Sequence, residues 1–161
     1  MKRTVLVTLV AVSQLALVGV GVAPQLSARV NGETVLLKVA PVDPIDPFRG
    51  AYVVLDYPDL DPPDDRWEDG VSEYREDHLF IVLEERDGVA VGTEWTHRRP
   101  ESGLYLACAP QSWAADCGIE SWFVPQDEAL QIERDVASGH AVAEVRVDSR
   151  GNAAITGLRT D

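Results

Sequence analysis

Two cysteines, Cys108 and Cys117, are the only thiols in this 161-residue chain. A pair this close can hold a soft metal or close a disulfide. Zinc needs two more soft ligands, Cys-x8-Cys is not zinc spacing, and the three histidines are scattered. Outside the cytoplasm such a pair is more often a disulfide. Closing its loop, which contains Trp113, stabilises a fold by roughly 2.5–3 kcal/mol. The acidic stretch Asp56, Asp59, Asp61, Asp64, Asp65, Glu68 and Asp69 offers the clustered oxygens that Ca²⁺ takes. It lacks the ordered spacing of an EF-hand loop, and Pro58, Pro62 and Pro63 stiffen it, so it reads as a solvated surface loop. Nucleophilic catalysis finds no Gly-x-Ser-x-Gly elbow. Ser138-Gly139-His140 reads as a turn entering a strand, and Ser27 has only Lys38 near it in sequence. Carboxylate pairs for glycoside chemistry are too abundant to discriminate. Neither catalysis, a metal nor a cofactor is expected.

The elements that carry these residues begin with an apolar run. Met1-Lys2-Arg3 is basic and Thr4 to Ala23 carries no charge. Twenty helical residues rise about 30 Å, the thickness of a bilayer's hydrocarbon core. A cleaved signal peptide begins in the same way. Against cleavage, Gly21-Val22-Ala23 is followed by Pro24, and Leu26-Ser27-Ala28 puts leucine where a small residue is wanted. The run also exceeds the roughly 7–15-residue signal core. Residues 1–24 therefore read as a retained anchor and 25–161 as one domain. Lys2 and Arg3 hold the N-terminus in the cytoplasm and place the domain outside. With 12 basic and 27 acidic residues beyond residue 24, that domain carries a charge of −15 and repels phosphate backbones, which excludes nucleic acid as a natural partner. Within the span, Ser13 and Gln14 are polar at mid-depth. Ala11, Gln14, Val18 and Gly21 follow helical spacing, so small residues flank an amide that is costly in lipid; it either finds another helix or bonds its own backbone and is tolerated singly.

Beyond the anchor the pattern is mainly β. Ala28–Thr34 reads as a lead-out with Asn31-Gly32 as a turn, and Thr34–Val39 as a strand. Pro41, Pro44 and Pro47 enforce an extended path. Gly50–Tyr57 alternates, with Ala51, Val53, Leu55 and Tyr57 on one face and Tyr52, Val54 and Asp56 on the other. Residues 58–77 look too polar for the core. His78–Glu84 and Val89–Thr96 are joined by Glu85-Arg86-Asp87-Gly88, a hairpin signal. Leu104–Ala107 and Ile119–Val124 are further strands, and 126–136 fits a short helix. Ala141–Val147 and Ala153–Leu158 form a final hairpin around Ser149-Arg150-Gly151-Asn152. One small β-barrel or β-sandwich-like domain with one short helix is the expected fold.

Gly50-Ala51-Tyr52, Leu55 and Tyr57, behind the proline-punctuated stretch and the apolar run, resemble the bacterial membrane-anchored family named for its GDYXXLXY motif. Ala51 stands where that family has Asp. A segment like Gly118–Pro125 and a C-terminal hairpin like Ala141–Leu158 extend the resemblance over nearly the whole chain. Gly50 fits a sharp turn into the strand. The motif reads as a folding element, with a ligand surface as the alternative. Were the family's Asp catalytic, Ala51 would leave this member inactive. Arg49-Gly50 is faintly similar to the anchored signal-peptidase-like proteins, but their serine and strand lysine are missing. The resemblance implies a non-catalytic accessory protein of the bacterial envelope that docks on a multi-span membrane partner. The alternatives are a module binding a small extracellular ligand or cation, and a hydrolase with an unrecognised site.

Overall fold

The computed structural model describes residues 3–41, 52–62, 78–110, 115–123 and 141–160. It begins with one helix, α1 (Arg3–Asn31). Its uncharged stretch makes α1 long and apolar enough to cross a membrane, and nearly all its side chains are exposed. The helix continues through Pro24, although proline removes one donor and crowds the preceding turn. The expected lead-out at 28–34 shrinks to one residue, Gly32, because the last helical turn is bonded to the domain.

Among the described residues ten strands follow: β1 (Glu33–Lys38), β2 (Ala40–Pro41), β3 (Tyr52–Asp56), β4 (Leu79–Arg86), β5 (Val89–Thr96), β6 (Leu104–Pro110), β7 (Ala115–Asp116), β8 (Ser121–Phe123), β9 (Ala141–Val147) and β10 (Ala153–Thr160). They form antiparallel sheets in the orders β1-β9-β10, β2-β3-β8 and β5-β4-β6-β7, curled around one core as a half-barrel. The mainly β expectation holds. The expected helix at 126–136 and the turn at Gly50 lie outside the described residues.

Local sequence explains the registers. Asp87 and Gly88 both have positive φ, 52° and 83°, the mirror-image turn that matches strand twist and that Asp-Gly supplies at least strain. It joins β4 and β5 in the register Arg86↔Val89. On β9, Ala141, Ala143, Val145 and Val147 are buried while Val142, Glu144 and Arg146 are half-exposed, the period-two alternation of a strand packed on one face. Leu37, Leu55, Leu79, Ile81, Leu106 and Ile119 anchor the core.

One segment departs from its polar reading. Pro58–Leu60 forms a single 3₁₀ turn that carries Leu60 into the core, and Pro62 is buried too. The Trp95 indole donates to the Leu60 carbonyl at 2.8 Å. That bond satisfies a backbone acceptor which burial would otherwise orphan.

Candidate functional site

The motif strand is locked to the segment that follows the cysteine loop. Leu55 is 2% exposed, and its N–H donates to the Glu120 carbonyl at 2.9 Å. Tyr57 is buried beside it, on the same face as alternation requires, and its hydroxyl donates to the Ile119 carbonyl at 2.8 Å. Burial, reinforced by the Glu120 carboxylate, pushes the Tyr57 phenol far above its usual range. In the fold Tyr57 serves as a buried hydrogen-bond donor that ties β3 to Ile119. Tyr52 lies on β3 with its backbone opposite Phe123, and Gly50 lies outside the described residues. Leu55 and Tyr57 come together in the core.

Cys108 and Cys117 bring their sulfurs to 2.02 Å, a bonding distance. The link closes the mouth of the β6–β7 pair, where Ala109 faces Asp116 and Pro110 faces Ala115. The Cys117 N–H donates to the Glu120 carboxylate at 2.5 Å, and the Gly118 N–H donates to Asp116 Oδ1 at 3.2 Å. Burial first, then the Asp116 carboxylate, raises the Glu120 pKa against the lowering effect of its backbone donors. The acidic stretch read as a solvated loop is only partly described, up to Pro62. Burial and then Asp56 raise the Asp61 carboxyl, and among the described residues no group of three or more His, Cys, Asp or Glu is placed to hold a metal ion.

A second cluster, invisible as a unit in the sequence, sits where α1 meets the last hairpin. The Asp148 side chain is 3% exposed. Its Oδ1 accepts the backbone N–H groups of Arg150 and Asn152 at 2.9 and 3.0 Å. Its Oδ2 accepts the Ser27 hydroxyl at 2.5 Å and the Asn152 amide at 2.9 Å. Arg150 completes the ring, donating to Ser27 Oγ at 3.1 Å and pairing with Asp148 at 3.8 Å. Burial by itself would raise the Asp148 carboxyl. Hydrogen bonds from Asn152, Ser27 and the two backbone donors outweigh it and hold the pKa below the usual value. A carboxylate so well satisfied is a poor base, so this serine–aspartate contact lacks what activates a nucleophile.

Next to it, Arg146 caps α1. Its Nε and Nη2 donate to the Gly32 carbonyl at 3.1 and 2.7 Å, and its Nη1 donates to the Arg29 carbonyl. A cation on the orphan carbonyls of a helix C-terminus is favourable both as a hydrogen-bond donor and against the helix dipole. Ala28 is fully buried against the domain. Gly32 is required by space: a Cβ there would lie 2.4 Å from the Ala28 carbonyl oxygen and 2.8 Å from the Val147 nitrogen. Sequence reasoning saw a turn in 149–152 but not its clamp on Ser27, 121 residues away. The available signal was Asp148 ahead of that turn, a side chain that habitually binds nearby backbone donors.

No curated protein and no solved structure matches the chain. The family model described as GDYXXLXY protein matches residues 14–158. With Leu55 and Tyr57 locked into the core, the C-terminal hairpin in place and that match covering most of its length, the chain belongs to the GDYXXLXY family.

Proposed function

We infer that this is a single-pass protein of the bacterial envelope, N-terminus inside and β domain outside. In this reading it performs no catalysis of its own and serves as an accessory subunit docked on an integral membrane partner. The observation that carries the reading is the azimuth of α1. Gln14 and Gln25 lie about three helical turns apart and within roughly 20° of the same face. Gln25 and Arg29 line a cleft of the domain, so the costly amide at mid-span shares the helix face above which that cleft lies. Ala11, Val18 and Gly21 share that face and permit close approach.

The domain above that face also selects the kind of partner. Two copies pairing in parallel through this face would bring their helices to about 8–10 Å. Domains of this size have a radius of gyration of about 14 Å, so both would claim the same volume. A different chain, whose helix ends near the membrane surface beneath the domain, meets no such obstacle. The test is a photo-crosslinking residue at position 14, and in parallel at position 12 on the opposite face, in membranes of the native host. Capture of one defined integral membrane protein from position 14 and not from 12 is the expected result. Equal capture from both faces, or self-crosslinking from position 14, refutes the docking reading.

A further inference from the structure

Outside α1, Phe123 is the one large hydrophobic side chain among the described residues that is exposed, at 78%. It stands on β8, the outer strand of its sheet, and lines an open cleft with Gln25, Arg29, Ser121, Trp122 and Ile155. The cleft measures about 280 Å³, near the lower end of ligand pockets. It is large enough for a polar headgroup and too small for a whole lipid.

Depth gives the cleft its surroundings. From Arg3 to Gln25 the helix rises about 33 Å, against roughly 30 Å of hydrocarbon in a bilayer. With Arg3 at the inner surface, Gln25 and Arg29 reach the outer headgroup layer, and Phe123 across the cleft stands at the same level. The clamp of Asp148 on Ser27 and of Arg146 on the helix end keeps it there. The geometry points to a phospholipid-binding cleft on the underside of the domain, with Arg29 on the lipid phosphodiester and Phe123 in the acyl–carbonyl boundary. This rests on the membrane-spanning reading of α1; Arg29 lies about 60° round the helix from Gln14, so the lipid sits beside the partner helix that meets Gln14 rather than in its place.

The chemistry of the cleft suits that occupant. A guanidinium carries five donors in a fork that matches phosphate oxygens. Among the described residues the Arg29 side chain makes one bond, a long one of 3.4 Å to the Ile155 carbonyl. Gln25 on α1 and Ser121 on β8 add neutral polar groups to the lining. Trp122, in the same cleft, is of the residue type that concentrates at the bilayer interface, and Phe123 sets an exposed apolar ring beside it. A second cleft of about 370 Å³, between β1 and the β4–β5 hairpin, carries Glu33, Glu84 and Glu85 and repels phosphate. The charge of −15 on the domain, from 12 basic and 27 acidic residues, favours a zwitterionic headgroup, whose amine faces the acidic surface while its phosphate meets Arg29.

The full chain is tested in nanodiscs of dioleoyl phosphatidylcholine, with an environment-sensitive fluorophore on a single introduced cysteine: F123C, L15C at mid-span, or E101C on an exposed loop. Native Cys108 and Cys117, bonded to each other, stay unlabelled. Lipids spin-labelled high on the acyl chain should quench the label at 123 at least two-fold and leave the label at 101 unaffected. Lipids labelled deep in the chain should quench the label at 15. Quenching at 15 without quenching at 123 overturns the cleft proposal and leaves the span intact; no quenching at 15 overturns the span and the cleft with it. Native mass spectrometry of the detergent-released chain reads the headgroup. R29Q should lower retained phosphatidylcholine on the order of ten-fold, and R29K should restore part of it. Equal retention by parent and R29Q also overturns the proposal.

Discussion

Replacing Asp148 by alanine removes the acceptor of four hydrogen bonds in one buried place. The Ser27 hydroxyl can rotate to another partner, but the backbone N–H groups of Arg150 and Asn152 and the Asn152 amide lose theirs. Leaving a buried donor unsatisfied costs about 1–3 kcal/mol. Bonds within one network are not additive, and Arg150 lies largely in water. The total is therefore about 3–5 kcal/mol. At this chain length a kilocalorie shifts the melting temperature by roughly 3–5 °C. Asp148→Ala should melt about 10–20 °C below the parent, followed by near-ultraviolet circular dichroism of the full chain in detergent at pH 7. Ser27→Ala should cost less, and the double variant less than the sum of the two. The acid limb gives a second reading. A carboxyl held below its unfolded value stabilises the fold above that value, 3.8, and the contribution is lost as pH falls through the folded one. The parent should thus lose part of its advantage over Asp148→Ala at the lowest pH. A variant melting within about 2 °C of the parent at pH 7, with an unchanged acid limb, refutes the clamp.

Other consequences are equally direct. Leu55→Ala should cost about 2–5 kcal/mol, as for other buried leucines, read as a fall in urea midpoint; an unchanged midpoint would make the motif a surface feature. Tyr57→Phe leaves the Ile119 carbonyl without its donor and should cost about 1–2 kcal/mol, with no pH dependence below pH 10. Reduction of Cys108–Cys117 should destabilise by about 2.5–3 kcal/mol on the loop-closure account, and thiol labelling of the denatured, unreduced chain should find neither cysteine free. Glu120 has a raised pKa, so its fold is favoured below the unfolded value of 4.5 and that advantage fades as pH rises through the folded value. Glu120→Gln should flatten this slope, and equal slopes in parent and variant would count against the burial of that carboxylate.

How much of this was readable from residue order depends on the range of the interaction. The β4–β5 and β9–β10 hairpins were legible because alternation and turn chemistry are local: Asp87-Gly88 and 149–152 announce themselves. The burial of Leu55 and Tyr57 on one face followed from period two alone. Leu60 was misread, since a single apolar residue among prolines and acids has no periodicity to reveal that a 3₁₀ turn aims it inward. The last turn of α1 was misread for another reason. Pro24 and Gly32 look like helix stops, and bonds from residues far away in sequence hold that last turn: Arg146, 114 residues beyond Gly32, on the helix end and Asp148 on Ser27. The cleft under β8 joins residues near 25, 122 and 155, a convergence no window of sequence contains.

The single glycine between α1 and β1 has a mechanical consequence. Proteins that hang a domain from a membrane by a loose tether let it tumble independently of its anchor. Here Gly32 admits no side chain, and its carbonyl is held by Arg146, so helix and domain turn as one shaft and vane. A twist of α1 by about 10° sweeps a point about 25 Å from its axis, the far side of a domain this size, through about 4 Å. Torque applied to α1 thus arrives at the domain as a lateral displacement, with no hinge at Gly32 to absorb it.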